Sequence, residues 1–347
     1  MSGLGSALVV ARTAAGITQQ QFAAELGITQ AALSRYENDL RTIPVPTVAV
    51  AAAVLGVTPQ LLATASRRGA MAVDAHMRRR ATAPATVWHR TEARLNMLRA
   101  HTAQVLGEVT LRATKHLPTY DSFDTIPADA ARFVRMQWQL PSGPVAGLIQ
   151  WAEAAGCVIF EEDFGTSRVD GMSQWIDGHP IMLINSTAPT DRKRLTIAHE
   201  LGHLCLHNEF ISENLEGEAN DFAAEFLMPE AAIAHQLRDL SVGRLHDLKQ
   251  VWGVSMQAII ERAFRLGLLT PSKRTNMYKQ FSARGWRTRE PGGDQLPPEH
   301  PALPAQIGSA LAARGLSASD IDSMSGFGER ATNNPFKVSP RGLSVVN

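Results

Sequence analysis

The chain has 347 residues, 44% of them apolar and 19% charged, with a formal net charge of +1. That length allows two or three domains with separate cores, and the composition is that of a globular protein rather than a disordered one. The near-zero charge excludes a global pull towards nucleic acid or membrane, so any such partner must be met locally. The two cysteines, Cys157 and Cys205, lie far apart in no metal-ligand spacing. They imply a reducing, cytoplasmic setting without disulfides, with Cys205 a small buried hydrophobe. The first residues lack the charged segment of a signal peptide, and the apolar run from Val48 to Val57 is too short to span a bilayer, so no membrane partner is expected.

Residues 1–65 read as a small all-helical unit. Leu4, Leu8, Val9 and Ala11 recur at helical spacing, and Gly16 makes a turn. Thr18 caps a helix through Leu26, Gly27 ends it, and Thr29 caps the next, which runs to about Tyr36. Pro44 and Pro46 break the chain before a helix over Thr47–Leu55, ended by Gly56, and Pro59 opens a last short turn. Two short helices joined at a glycine have the spacing of a helix-turn-helix. Phe22, Ala23, Leu26, Ile28 and Leu33 form its core. Gln30, Ala31, Ser34 and Arg35 fall on the open side of the second helix. This stretch resembles the lambda-repressor/Cro-like (XRE) class over about residues 4–62. The resemblance implies that these four residues, with Thr29 and Gln19, meet double-stranded operator DNA. Arg12, Arg35 and Arg41 balance Glu25, Glu37 and Asp39 in residues 1–65. That neutrality also suits a helical protein-interaction module, because DNA binding normally needs several basic contacts.

Residues 66–115 read as an Arg-rich linker and a connecting helix. Residues 66–101 hold eight Arg against Asp74 and Glu92, a balance of +6. The Arg-rich part either tracks phosphates or is a solvated linker. A helix from Thr91 to about His116 places Leu95, Leu98, Thr102, Val105 and Val109 on one side.

Residues 116–290 carry the chemistry. A helix over Val145–Ala155 ends at Gly156. Strands follow at Cys157–Glu161, Val169–Trp175 and Pro180–Asn185, the last two joined through Asp177-Gly178 as a hairpin. A long helix then runs from about Thr190 to His207 and contains His199-Glu200-Leu201-Gly202-His203. Two histidines four apart share a helix face and can reach one metal ion, while Glu200, turned by about 100°, is free to act as a base. A catalytic zinc needs a third protein ligand. The long three-histidine form would require Gly at 206 and His at 209, where this chain has Leu206 and Glu209. His207 lies about 12 Å from His199 by helix rise and reads as a supporting or surface residue. A helix from about Asn214 to Phe226, stopped by Pro229, offers Glu216 and Glu218, about 200° apart. Its core face is Phe222, Ala223, Phe226 and Leu227. Periodicity leaves both glutamates open, and Glu216 as ligand would put Asn220 within reach of a ligand imidazole.

These blocks, Val169–Trp175, Pro180–Asn185, Asp191–His203, Glu216–Pro229 and Gly285–Arg287, resemble the ImmA/IrrE family of zinc metallopeptidases over about residues 125–290. The resemblance implies a zincin-like fold with Zn²⁺ on His199, His203 and Glu216, and Glu200 as the catalytic base. Leu195, where the family often has Phe, is a mild departure. Asn185, Arg192 and Arg194 are candidates to support the ligands or touch substrate, although solvated charge suits the arginines equally. Strand 180–185 is a candidate edge for pairing with an extended substrate.

Helices continue to about Leu269, and the chain stays basic after Pro271. Residues 291–347 form a Pro/Gly-rich tail, partly ordered at best, with one helix near Ala305–Arg314. The fold class is α+β: mainly α with a small sheet, an all-α helix-turn-helix domain and a zincin-like domain. The combination implies a DNA-binding endopeptidase that cleaves or disables a repressor or antitoxin-like protein. The alternatives are a regulator whose peptidase-like domain senses a ligand or metal without cutting, and an antitoxin acting by binding. A palindromic operator would call for a homodimer.

Overall fold

The structure is a computed structural model and describes residues 4–67, 84–208 and 213–337. Five helices, α1 (Leu4–Ala14), α2 (Gln19–Glu25), α3 (Gln30–Glu37), α4 (Val45–Leu55) and α5 (Pro59–Arg67), make the N-terminal unit. Thr18 and Gln21 form a reciprocal capping box on α2, and Thr29 Oγ1 caps α3 through Ala32 N–H. Each cap satisfies a backbone N–H that the first turn leaves open. Leu8, Phe22, Leu33, Leu61 and Leu62 are fully buried at the centre. The fourth helix starts two residues earlier than its threonine suggests. Pro46 is tolerated inside its first turn, where no intrahelical N–H bond is needed.

Helix α6 (Ala85–Glu108) is shared by two cores. Ala93, Met97 and Ala100 pack on the N-terminal unit, while Leu95, Leu98 and Val105 join the far side of the sheet. It starts six residues before the expected Thr91, with Pro84 at its N-cap and Val87 and Trp88 packed in the same cluster as Leu95 and Leu98. It also stops well before His116, at the β-branched Val109 in extended conformation. The Arg-rich stretch read as a linker lies mostly at 68–83, outside the described residues.

Helix α7 (Pro127–Trp138) has no counterpart in the sequence reading, although Pro127 opens it and Ala130, Ala131, Val134 and Trp138 give it a buried stripe. Then come α8 (Leu148–Ala154), β1 (Val158–Glu162), β2 (Gly171–Ile176) and β3 (His179–Asn185). The sheet order is β1-β3-β2, with β1 parallel and β2 antiparallel to β3. Asp177 and Gly178 both have positive φ, as a two-residue hairpin turn with right-handed twist needs. Both faces of the sheet are covered. Met182 and Ile184 of β3 face the main core, and Ile181 and Leu183 face α6 and the C-terminal helices. Since β3 is central, with a neighbour on each side, the expected pairing of an extended substrate to strand 180–185 is corrected.

The remaining helices are α9 (Thr190–Leu206), α10 (Leu215–Leu227), α11 (Glu230–Ile233), α12 (Val242–Trp252), α13 (Met256–Arg265), α14 (Pro271–Ala283), α15 (Leu303–Ala313) and α16 (Ala318–Met324). The C-terminal segment is more structured than its composition suggests. Leu303, Ile307, Leu311, Ile321, Phe327 and Phe336 bury apolar surface against α6 and the sheet. It also reaches the N-terminal unit. Phe327 pairs with Val57 in an isolated bridge, Thr58 N donates to Gly326 O, and Gly328 N donates to Gly56 O, both at 2.9 Å. No helix among the described residues is long and apolar enough to cross a membrane.

Candidate metal centre

Three sets of contacts hold α9 in place. Asp191 in its first turn suits the positive end of the helix and bonds Lys249 Nζ at 2.5 Å. Lys249 on α12 is fully buried, and Glu290 at 3.0 Å completes its pairing. Arg194, one turn on, donates to the carbonyls of Gly253 and Val145 and to Glu299. The third contact is with β2. A Cβ on Gly171 would meet Thr196, Ser173 Oγ donates to Glu200 Oε2 at 2.7 Å, and Trp175 Nε1 donates to Leu204 O at 3.0 Å. Every second strand residue meets every fourth helix residue. Two strand residues rise about 6.7 Å and four helix residues about 6 Å, so the repeats stay in step.

Helix α10 crosses α9 at Gly202 and brings Glu216 to the two histidines. His199 Nε2 and His203 Nε2 are 3.0 Å apart, and the Glu216 oxygens lie 3.6 Å and 3.5 Å from them. The outward nitrogens are engaged elsewhere. His199 Nδ1 is 3.1 Å from Asn220 Oδ1 and His203 Nδ1 is 2.9 Å from His207 Nδ1. His207 Nε2 in turn meets Glu218 Oε2 at 2.9 Å. An amide oxygen and a carboxylate only accept, so His199 carries its proton on Nδ1 and His207 on Nε2. Burial is the main influence on His207 and pushes its pKa down, which favours the neutral ring, against the pull of Glu218. In a neutral His207 the Nδ1 accepts from His203 Nδ1–H, and both Nε2 atoms then turn lone pairs towards each other and towards a carboxylate.

That donor set fits a cation. Without one, two imidazole lone pairs and a carboxylate would face each other unfavourably. A tetrahedron with bonds of about 2.0–2.1 Å has edges of roughly 3.4 Å, close to the three separations here. The donor atoms of His199, His203 and Glu216 all lie within 4.8 Å of one another. They open onto a cleft of about 880 Å³ whose walls include Glu200, Asn220, Trp88 and Arg287. Glu200 is buried, and its pKa is pushed up to about 7, mainly by that burial, against the pull of His203 and the Ser173 hydroxyl.

Other sequence candidates fall elsewhere. Asn185 is buried, with its amide donating to Thr166 O and Val169 O and its oxygen accepting from Thr187, so it braces the loop after β3. Arg194 is taken up by the contacts already described. Neither is among the residues that line the cleft. Arg192 does line it, bonded to Asp170 and Ser167 O. The sequence signal for Ser173 as a partner of Glu200 is the period of two from Gly171 through Ser173 to Trp175. Cys205 is fully buried in the main core. In the N-terminal unit, Gln30, Ala31 and Arg35 are exposed and Ser34 is half-buried along one side of α3. Gln30 Nε2 donates to Gln19 Oε1 at 3.1 Å, and Gln19 Nε2 donates to Glu37 Oε2 at 2.8 Å. Thr29 serves as the α3 cap at the same end.

Comparisons with known proteins match two separate regions of the chain. Residues 152–264 match the family model of the IrrE N-terminal-like domain, of peptidase family M78, and residues 10–62 match that of a helix-turn-helix. The radiation response metalloprotease IrrE of Deinococcus radiodurans is 39% identical over 82 residues, which cover 18% of this chain and 25% of IrrE. The chain spans about a quarter of the length of that curated relative. The chain thus joins a region similar to a helix-turn-helix to a region similar to the IrrE N-terminal-like domain.

Proposed function

We propose that the chain is a zinc-dependent endopeptidase brought to its substrate by its DNA-binding domain, and that the substrate is a repressor or antitoxin-like protein. The observation that carries the reading is the convergence of two imidazole Nε2 atoms and one carboxylate beside a buried glutamate. Zinc held by His199, His203 and Glu216 would supply Lewis acidity to a water and to a peptide carbonyl. Glu200, aimed by Ser173, takes the proton of the attacking water and returns it to the leaving amine. Asn220 orients His199.

The substrate strand has a place on β2. The two-residue turn makes Ile176 and His179 a hydrogen-bonded pair, so the backbone groups of Gly171, Ser173 and Trp175 point away from β3. Pro180, which has no N–H, sits opposite Trp175 as that alternation requires. Gly171 lines the cleft, which supports pairing of an extended peptide at this end of β2. On the DNA side, Gln19, Thr29, Gln30, Ala31, Ser34 and Arg35 are the proposed contacts, and a homodimer would present two of these faces to a palindrome.

The test compares wild type with Glu200→Gln. The variant should keep stoichiometric zinc and DNA binding but lose cleavage of a repressor-type substrate. Retained cleavage would refute the role of Glu200. Unchanged target expression in the variant would favour a regulator that senses without cutting.

A further inference from the structure

We propose that His207 and Glu218 form a two-step hydrogen-bonded arm that holds His203 as an Nε2 donor, making both of them positioning residues of the metal centre. The inference rests on the metal-centre reading above and assigns a role to two residues outside its proposed ligand set. His199 has a one-step support, its Nδ1 against Asn220. His203 is supported through a second imidazole: its Nδ1 meets His207 Nδ1, and His207 Nε2 meets Glu218, each at 2.9 Å. The side chains of His207 and Glu218 are 3% and 20% exposed, so water does not compete freely for these bonds. The order of protons is set from the outer end. With His207 a neutral imidazole, Glu218 accepts, His207 Nε2 donates, His207 Nδ1 accepts, and His203 carries its proton on Nδ1 with its Nε2 lone pair turned to the site.

The arm also explains why α10 carries two glutamates spaced by one residue. Glu216 faces the paired imidazoles while Glu218 faces the support of one of them. His207 lies at the C-terminal cap of α9, with its N–H bonded to His203 O at 2.9 Å, so its ring hangs next to that of His203. Without the arm, His203 could rotate or take the other tautomer, and its affinity for a metal would fall.

Substitutions of His207 separate this role from simple bracing of α9 against α10. Asparagine places its amide oxygen near the position of Nδ1 and can still accept from His203. Glutamine reaches the position of Nε2 and keeps only the contact with Glu218. Zn²⁺ affinity of the full chain is read by competition with a chromophoric chelator, with thermal unfolding as the folding control. His207→Phe and His207→Gln should weaken Zn²⁺ binding by roughly 10–100-fold, as loss of an outer ligand partner commonly does. His207→Asn should stay within about 3-fold of wild type on the same scale. The reverse order, with glutamine tolerated and asparagine not, would show an interhelical brace and overturn the proposal. So would wild-type affinity in all three variants. His203→Ala distinguishes the two levels: if it loses zinc while the His207 variants do not, the arm fails and the centre stands. If His203→Ala also keeps zinc, the centre fails and the arm with it. Should His207→Phe not fold, the asparagine and glutamine pair still decides.

Discussion

A Cβ on Gly202 would stand 3.1 Å from Ala219 Cα and 3.2 Å from Ala219 O, so the absence of a side chain at Gly202 is what lets α10 approach α9 this closely. The crossing lies between the two histidines and the glutamate that faces them. Gly202→Ala gains about 1 kcal/mol of helix propensity. It also forces apart two backbones that have no flexible side chain to yield, and overpacking of this kind costs about 1–3 kcal/mol. The net expectation is a modest fall in melting temperature and a larger fall in Zn²⁺ affinity, because Glu216 moves away with α10. Gly202→Val should deepen both. Titration of Zn²⁺ alongside thermal unfolding checks this, and an alanine variant with wild-type affinity would show that the crossing does not set the ligand distance.

Ser173→Ala removes a donor from a buried carboxylate and leaves the metal donors in place. A hydrogen bond to a charged group contributes about 1.5–3 kcal/mol, so kcat should fall by roughly 10–100-fold. Zinc content should not change. The Ser173 bond favours the ionised form of Glu200. Its loss raises the carboxyl pKa, and because the base must be ionised to act, the acid limb of kcat against pH should move to higher pH. Steady-state kinetics across pH, with metal analysis of the same samples, gives the answer.

DNA recognition offers a coupled pair. Gln30 is held by Gln19, which is itself held by Glu37. If Gln30 reads a base, Gln30→Ala should cost about 1–3 kcal/mol of discrimination on an operator selected in vitro. Gln19→Ala should cost part of the same energy, and the double variant should lose less than the sum. Arg35→Ala should weaken operator binding as well. Fluorescence anisotropy on operator and scrambled duplexes separates the specific loss from a general one; equal losses on both would place these side chains on phosphates.

Much of this site is legible in the sequence. Helix periodicity put His199 and His203 on one face, and the core stripe of Phe222, Ala223, Phe226 and Leu227 is buried as expected. Periodicity could not choose between Glu216 and Glu218, because both clear the core face. Their separation depends on where α10 crosses α9, a tertiary fact set by Gly202. The role of Ser173 is not legible in the sequence, because a strand shows its alternation but not the helix beneath it. The strand order is not legible either, since β2 and β3 form a local hairpin while β1 pairs with β3 across a long connection. The C-terminal helices were under-read because their apolar residues are sparse. Leu303, Ile307 and Leu311 become a core stripe only against α6 and the sheet.

The clamp between the C-terminal segment and the N-terminal unit supplies a pH test of stability. His101 on α6 stacks on Phe327 with ring centroids 3.8 Å apart and planes 6° from parallel, and its Nδ1 donates to Ser325 O at 2.7 Å. Burial pushes its pKa down to about 3, with Arg94 adding to the effect and the Ser325 bond opposing it. An unfolded histidine titrates near 6.5. Between those values the unfolded chain binds a proton that the folded chain refuses. Stability is therefore fully present above about pH 6.5 and is lost as pH falls towards about 3, by up to about 1.4 kcal/mol per pH unit from this residue. His101→Phe keeps the stack, removes the titration and leaves the Ser325 carbonyl without its donor. It should be less stable than wild type at pH 7.5 by about 1–3 kcal/mol. Its urea midpoint should then fall less steeply with acid, so that the two curves converge. Parallel curves from pH 7.5 to 4.5 would show that His101 takes up a proton without disturbing the clamp.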